Sequence, residues 1–209
     1  STALDSGYRL IDSAMNYDNE GSIGVALESS EINREDLFVN SKLLGRYHKE
    51  NLVIPAIEES LYRLRLDYLD SFLIHWPNPN QGLYVDAWRG LIAAKEEGLV
   101  RHIGVCNFTV ELLEELADKT GELPEIHQIE INPYFLNQKT ANFNRENGII
   151  TQAWSPLGRG DSTILGNKAV VQLAEKHSVT PAQIVLRWHI DNGYIPIPKA
   201  KNPARQIEN

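Results

Sequence analysis

The chain has 209 residues, 42% of them hydrophobic and 23% charged, which is enough apolar material for a sizeable core. It carries 28 acidic against 20 basic residues, a net charge of −8, and no basic block that would match the phosphates of a nucleic acid. No apolar stretch approaches the roughly 20 residues of a membrane span, and the single cysteine, Cys106, excludes an internal disulfide and fits a reducing, cytoplasmic setting.

In chain order, strand-like runs recur at 8–12 (YRLID), 37–42 (LFVNSK), 70–75 (DSFLIH), 101–106 (RHIGVC), 127–132 (HQIEIN), 149–154 (IITQAW) and 194–198 (YIPIP). Between them lie segments with apolar residues at helical spacing, at 19–30, 51–65, 82–98 and 109–119, then 166–178 and 180–192. Thr109 and Thr180 read as helix N-caps, with Pro181 at the first helical position. Gly98 and Gly121 fall where helices should stop. No Ser/Gly/Pro-rich linker interrupts the pattern, so residues 1–209 read as one domain. No secretory signal opens the chain. It begins at Ser1 rather than Met and stops at Asn209 in what reads as a first helical turn, so both ends read as cut.

Strand alternating with helix predicts a parallel sheet covered on both faces. Seven strands are countable; a closed α/β (β/α)8 TIM barrel needs eight. Of the two helical patterns in 155–193, one is read as an extra helix after the seventh countable strand. An open doubly wound nucleotide fold would place G-x-G-x-x-G after its first strand. Here the only related feature is the glycine pair of GRG (158–160), which does not open a first βα unit. The barrel is therefore preferred, incomplete for want of a first strand and a last helix.

The ionisable side chains carry the chemistry. Asp12, Lys42 and His75 end three consecutive strand-like runs, and Tyr17 follows the first by one short loop. Singly, each has an ordinary reading as turn former, edge charge, core imidazole or surface phenol. In a barrel all strand carboxyl ends converge, so the four would meet. Asp12 would keep Lys42 charged, Lys42 would favour the phenolate of Tyr17 and make the phenol a better proton donor, and His75 would orient a substrate oxygen. None of them can supply a hydride, which requires a cofactor, most simply a nicotinamide. The scattered histidines and single cysteine do not make a metal site, and no G-x-S-x-G turn supports a nucleophilic hydrolase.

Ordered motifs spread over essentially the whole chain carry a resemblance: LIDSAMNYDNE (10–20), SKL (41–43), FLIHWP (72–77), IGVCNF (103–108), QIEINPY (128–134), AWSPLGRG (153–160) and IPKAKNPARQIEN (197–209). Together they resemble the aldo-keto reductase family, most closely its bacterial diketogluconate-reductase-like branch. The resemblance implies a barrel that binds NADPH without a Rossmann unit and reduces aldehydes or ketones to alcohols. It implies Asp12, Tyr17, Lys42 and His75 as the catalytic tetrad, with Tyr17 the acid and Tyr17, His75 and Trp76 facing substrate. Asn107 and Gln128 would hold the nicotinamide carboxamide, Trp154 would stack on its ring, and Ser155, Leu157 and Gly158 would line the pyrophosphate path. Lys199 and Arg205 would grip the 2′-phosphate, while Glu208 and Asn209 would reach the adenine. Ala200 stands where the family commonly has Ser or Thr beside the phosphate-binding lysine, which weakens the expected preference for NADP, and Cys106 replaces a common Ser. The expected partner is a small carbonyl substrate, with neither nucleic acid nor membrane, and a monomer is expected for an intact parent. Two other readings come with the family: a cofactor-binding regulatory subunit of the same fold, and an inactive truncated remnant. The intact tetrad and the absence of an interaction tail favour the enzyme over the regulatory subunit.

Overall fold

A computed structural model describes residues 2–160 and 162–209. It resolves into two compact units, Ala3–His127 and Gln128–Asn209.

The first unit opens with the single-turn helix α1 (Thr2–Asp5), followed by β1 (Leu10–Asp12) and α2 (Glu20–Glu28). It continues through β2 (Phe38–Leu43), α3 (Glu50–Leu64), β3 (Leu69–Ile74), α4 (Tyr84–Glu96), β4 (Val100–Cys106) and α5 (Val110–Thr120) to the start of β5 (Ile126–Glu130). Strand order is β1-β2-β3-β4-β5 with no reversal, and the pairs β1–β2, β2–β3 and β3–β4 are parallel. A doubly wound sheet would reverse its order at a switch point. Sequential parallel order with a helix after each strand is instead the winding of a barrel. All six residues of β3 are buried, as are five of the six in β2, which is the signature of strands covered on both faces. One cover is the apolar stripe of α3, where Val53, Ile57 and Leu64 are fully buried at helical spacing.

The second unit contains α6 (Gln138–Glu146), β6 (Ile150–Trp154), the single turn α7 (Ser162–Leu165), α8 (Lys168–His177), α9 (Pro181–Asp191), β7 (Ile195–Pro196) and α10 (Pro203–Glu208). Order here is β5-β6-β7, with β6 and β7 parallel. Ile129, Ile131, Ala141 and Ala153 form its buried apolar cluster, with Trp188 and Tyr194 packed against it.

The elements differ from the sequence reading in definite ways. β1 starts at Leu10 because Tyr8 still belongs to the preceding turn: its N–H reaches back to the Ala3 carbonyl at 3.1 Å, across a left-handed Gly7. β7 shrinks to two residues because Pro196 and Pro198 have no N–H to give a ladder. α6 escaped notice because its buried face is Thr140, Ala141 and Asn144 rather than large apolar residues. The extra helix lies before the seventh strand, not after it: α8 and α9 both fall between β6 and β7. The caps are as read. The Thr109 hydroxyl accepts from the Leu112 N–H, and Thr180 with Gln183 forms a capping box ahead of Pro181.

Candidate active site

In the first unit, parallel register places Asp12 of β1 opposite Asn40 of β2, and Asn40 opposite Ser71 of β3. Side chains two apart on a strand share a face, so Lys42 lies on the Asn40 face, one step toward the carboxyl end. Lys42 is 0% exposed. Its ammonium is 2.7 Å from Asp12 Oδ2 and donates to the Ser13 carbonyl at 2.7 Å. Burial, the largest single influence, pushes the Lys42 pKa down, but the Asp12 charge and hydrogen bond together with the Cys106 and Tyr17 groups outweigh it and hold the pKa above the ordinary lysine value. The other Asp12 oxygen accepts from Asn40 Nδ2 at 2.5 Å.

Tyr17 ends a tight 3-10 turn, Met15–Tyr17, that follows β1. A hydrogen bond from Ser13 Oγ to Asn19 Oδ1, 2.6 Å, closes the loop that carries it. The Lys42 ammonium lies 5.1 Å from the centroid of the Tyr17 ring, and the His75 ring meets that ring edge-on at 5.7 Å. Tyr17 is 47% exposed, so the phenol sits between a buried cation and open space. Partial burial pushes its pKa up; Lys42 pulls it down by charge and hydrogen bond, while Asp12 pushes up again, and the outcome is above the ordinary tyrosine value. Lys42 thus favours the phenolate, as expected, but burial outweighs it. Burial, the largest influence, together with the Asp12 charge keeps the proton on the phenol.

His75 follows β3 directly, its N–H donating to the Leu43 carbonyl at 3.2 Å. Burial, then the Lys42 charge, lower its pKa to about 4, so the imidazole is neutral at neutral pH. The strand end is fixed from β4: Asn107, in a left-handed conformation at φ 62°, donates its amide to the His75 carbonyl at 3.1 Å. Helix capping, the ordinary alternative for Asn107, belongs instead to Thr109. Trp76 is 50% exposed and stacks beside His75 with ring centroids 6.5 Å apart. The structure thus brings Asp12, Tyr17, Lys42 and His75 together. A buried ion pair, a protonated phenol and a neutral imidazole can polarise a carbonyl oxygen and then protonate it.

The second unit carries the residues expected to meet a cofactor. Gln128 is buried, and its amide donates to Gln152 Oε1 at 2.9 Å. Trp154, at the end of β6, is half-buried, with the Arg159 guanidinium 4.8 Å from its ring centroid. Ser155 and Gly158 bracket a turn with left-handed backbone at φ 51° and 72°, closed by the Gly158 N–H to the Ser155 carbonyl, with Leu157 half-buried between them. A Cβ on Gly158 would meet only the movable end of the Ile164 side chain, so it is the left-handed backbone that favours glycine here. Lys199 and Arg205 are exposed, and neither joins an ion pair among the described residues. Asn202 caps the short α10 by accepting from the Ala204 and Arg205 N–H groups, while the Asn209 N–H closes on the Arg205 carbonyl and the Glu208 carbonyl accepts from Gln183 Nε2. Two exposed, uncommitted cations on one short segment fit a phosphate dianion, as NADPH offers at its adenosine end.

Asn40 and Ser71 were missed by the sequence reading. The signal was there in LFVNSK, where Asn40 sits two residues before Lys42 and therefore on its face.

Parallel sequential strands with an acid, a buried cation and an imidazole at their carboxyl ends define a barrel-type site able to polarise and protonate a carbonyl oxygen. The family model described as the Aldo/keto reductase family matches residues 1–209, and the chain belongs to that family. It is 49% identical over 207 residues to 2,5-diketo-D-gluconic acid reductase B of a Corynebacterium species, covering 99% of this chain and 74% of that protein. It is 44% identical over 207 residues to the methylglyoxal reductase DkgA of Escherichia coli strain K12, with the same coverage. An aldo/keto reductase structure from Brucella melitensis superposes with a TM-score of 0.95 at 43% identity, over 100% of this chain and 79% of that one. A Gox0644 variant solved in complex with NADPH superposes with a TM-score of 0.94 at 42% identity, over 100% of this chain and 74% of that one. The fold class is therefore the (β/α)8 barrel, of which the described residues supply seven strands.

Proposed function

We propose that this chain reduces small aldehydes, keto-acids or keto-sugars to alcohols with NADPH in the cytoplasm, with residues 1–209 a fragment of a single aldo-keto reductase domain whose intact parent is a monomer. The observation that carries this reading is the Asp12–Lys42 ion pair, 2.7 Å long and buried beside the Tyr17 phenol and the His75 imidazole. NADPH, when bound, supplies the hydride. The neutral imidazole of His75 orients the carbonyl oxygen, and Tyr17 donates the proton that makes the hydroxyl. Lys42 stabilises the phenolate left behind, and Asp12 keeps Lys42 charged and in place. Trp76 lines the approach. For the cofactor, Asn107, Gln128, Trp154, Ser155, Leu157 and Gly158 are proposed at the nicotinamide and pyrophosphate, and Lys199, Arg205, Glu208 and Asn209 at the adenosine 2′-phosphate and base.

Support for the substrate class comes from the relatives, whose names specify a diketo sugar acid and methylglyoxal. The test is loss of NADPH absorbance on mixing the protein with methylglyoxal, 2,5-diketo-D-gluconate and a panel of simple aldehydes. Steady oxidation of NADPH with at least one carbonyl is expected. Bound NADPH that no carbonyl oxidises would leave the chain a cofactor-binding module instead.

A further inference from the structure

Behind the ion pair lies a polar row that the proton-transfer reading does not use. Asn40 and Ser71 are both completely buried, in strands where apolar side chains would pack without desolvation cost. Their polar atoms form a directed chain. Ser71 Oγ donates to Asn40 Oδ1 at 2.7 Å, Asn40 Nδ2 donates to Asp12 Oδ1 at 2.5 Å, and Asp12 Oδ2 accepts from Lys42 Nζ at 2.7 Å. Register explains why they meet: Asp12 pairs with Asn40, and Asn40 with Ser71, across three adjacent parallel strands. An amide has one donor end and one acceptor end. With its oxygen occupied by the Ser71 hydroxyl, Asn40 presents its NH2 to the carboxylate.

We propose that Asn40, oriented by Ser71, is a positioning residue that clamps the Asp12 carboxylate from behind, so that its second oxygen stays on Lys42. The inference rests on the assignment of Tyr17 as the acid and Lys42 as its partner. Asp12 is the least buried member of the row, its side chain 10% exposed against 0% for Lys42. Without the Asn40 amide one carboxylate oxygen loses an anchor, whereas an anchor on each oxygen fixes its plane. Charged hydrogen bonds of this kind are the stronger ones. The groups that feel the clamped pair are Tyr17 on the turn after β1, His75 after β3 and the buried Cys106 thiol at the end of β4. In Tyr17 and Lys42 the Asp12 charge acts in one direction, favouring the protonated form of each. Releasing Asp12 therefore moves both titrations to lower pH.

Three variants test the clamp. Asn40→Leu removes the amide at similar volume, Ser71→Ala frees the amide to turn, and Asn40→Thr returns a hydroxyl donor. Asn40→Leu is expected to lower kcat about tenfold, the loss of one hydrogen bond to a charged group. Its NADPH Kd by fluorescence titration stays within about twofold of the parent. The alkaline limb of its kcat profile moves to lower pH, Ser71→Ala moves it less in the same direction, and Asn40→Thr moves it back toward the parent. Lysine Cε NMR follows Lys42 without reference to turnover, and its titration is expected to move to lower pH in Asn40→Leu. A Lys42 titration that is unmoved, or moved to higher pH, overturns the clamp, with Ser71→Ala deciding if Asn40→Leu fails to fold. Failure of the underlying reading looks different: Tyr17→Phe would keep turning over, whatever Lys42 does.

Discussion

The two compact units treat their charges differently. Within Ala3–His127 the important ionic groups are already paired: Lys42 with Asp12, Arg63 with Glu20 and Arg34 with Asp70, each at 2.7 Å and each with at least one partner nearly buried. Within Gln128–Asn209, Lys199 and Arg205 stand exposed without an ion-pair partner among the described residues. Paired buried charges set the geometry of reacting groups before substrate arrives, which is how preorganised electrostatics lowers a barrier. Unpaired exposed cations hold their hydrogen-bonding capacity for an anion that comes from outside. Substitutions of the paired charges in the first unit should therefore act on stability and kcat, and those of the exposed cations in the second on cofactor affinity.

The largest stability effect is expected at Glu20. Its carboxylate is buried and accepts from Ser41 Oγ at 2.6 Å and from Arg63 Nε at 2.7 Å, tying α2 to β2 and α3 one residue from Lys42. Glu20→Ala leaves Ser41 and Arg63 without that partner and should cost about 3 kcal/mol, read as a lowered midpoint in urea unfolding. A midpoint equal to that of the parent would show that the first unit does not depend on its pairs. In the second unit, Arg205→Ala should weaken NADPH by about 2 kcal/mol, the value of a charged hydrogen bond, and leave NADH nearly untouched. Equal losses for both cofactors would mean that Arg205 does not read the 2′-phosphate.

A smaller effect comes from buried imidazole. His48 is fully buried, neither ring nitrogen has a hydrogen-bond partner among the described residues, and burial lowers its pKa to about 4. The unfolded chain takes up that proton near the ordinary histidine value of about 6.5. Because the folded value is depressed, unfolding binds a proton between these two pH values, and stability falls as pH falls through that window. The loss should reach ~2 kcal/mol by pH 5. His48→Gln should flatten that part of the melting-temperature profile; an unchanged profile would mean that His48 is not held neutral.

Much of this arrangement was legible in the order of residues. Apolar runs ending in Asp12, Lys42 and His75 disclosed both the parallel strands and the convergence of their ends, because a side chain at a strand terminus has its position set by topology. The helices with large apolar stripes were legible for the same reason. What stayed hidden depends on what a residue touches. α6 buries small and polar side chains, so its periodicity is faint. The balance at Tyr17 is a contest between burial and two opposite charges, and no spacing rule gives its sign. Asn40 reads as one more polar residue until the register sets it against Asp12.

The central claim is that Tyr17, beside the Asp12–Lys42 pair, delivers the proton. Single-turnover reduction by Tyr17→Phe, with NADPH binding followed by fluorescence, tests it most directly. Removing the acid hydroxyl while leaving the ring should lower the rate of the chemical step about 10³-fold or more and leave NADPH affinity within about twofold. A rate within about tenfold of the parent, with NADPH bound as tightly, would contradict the claim.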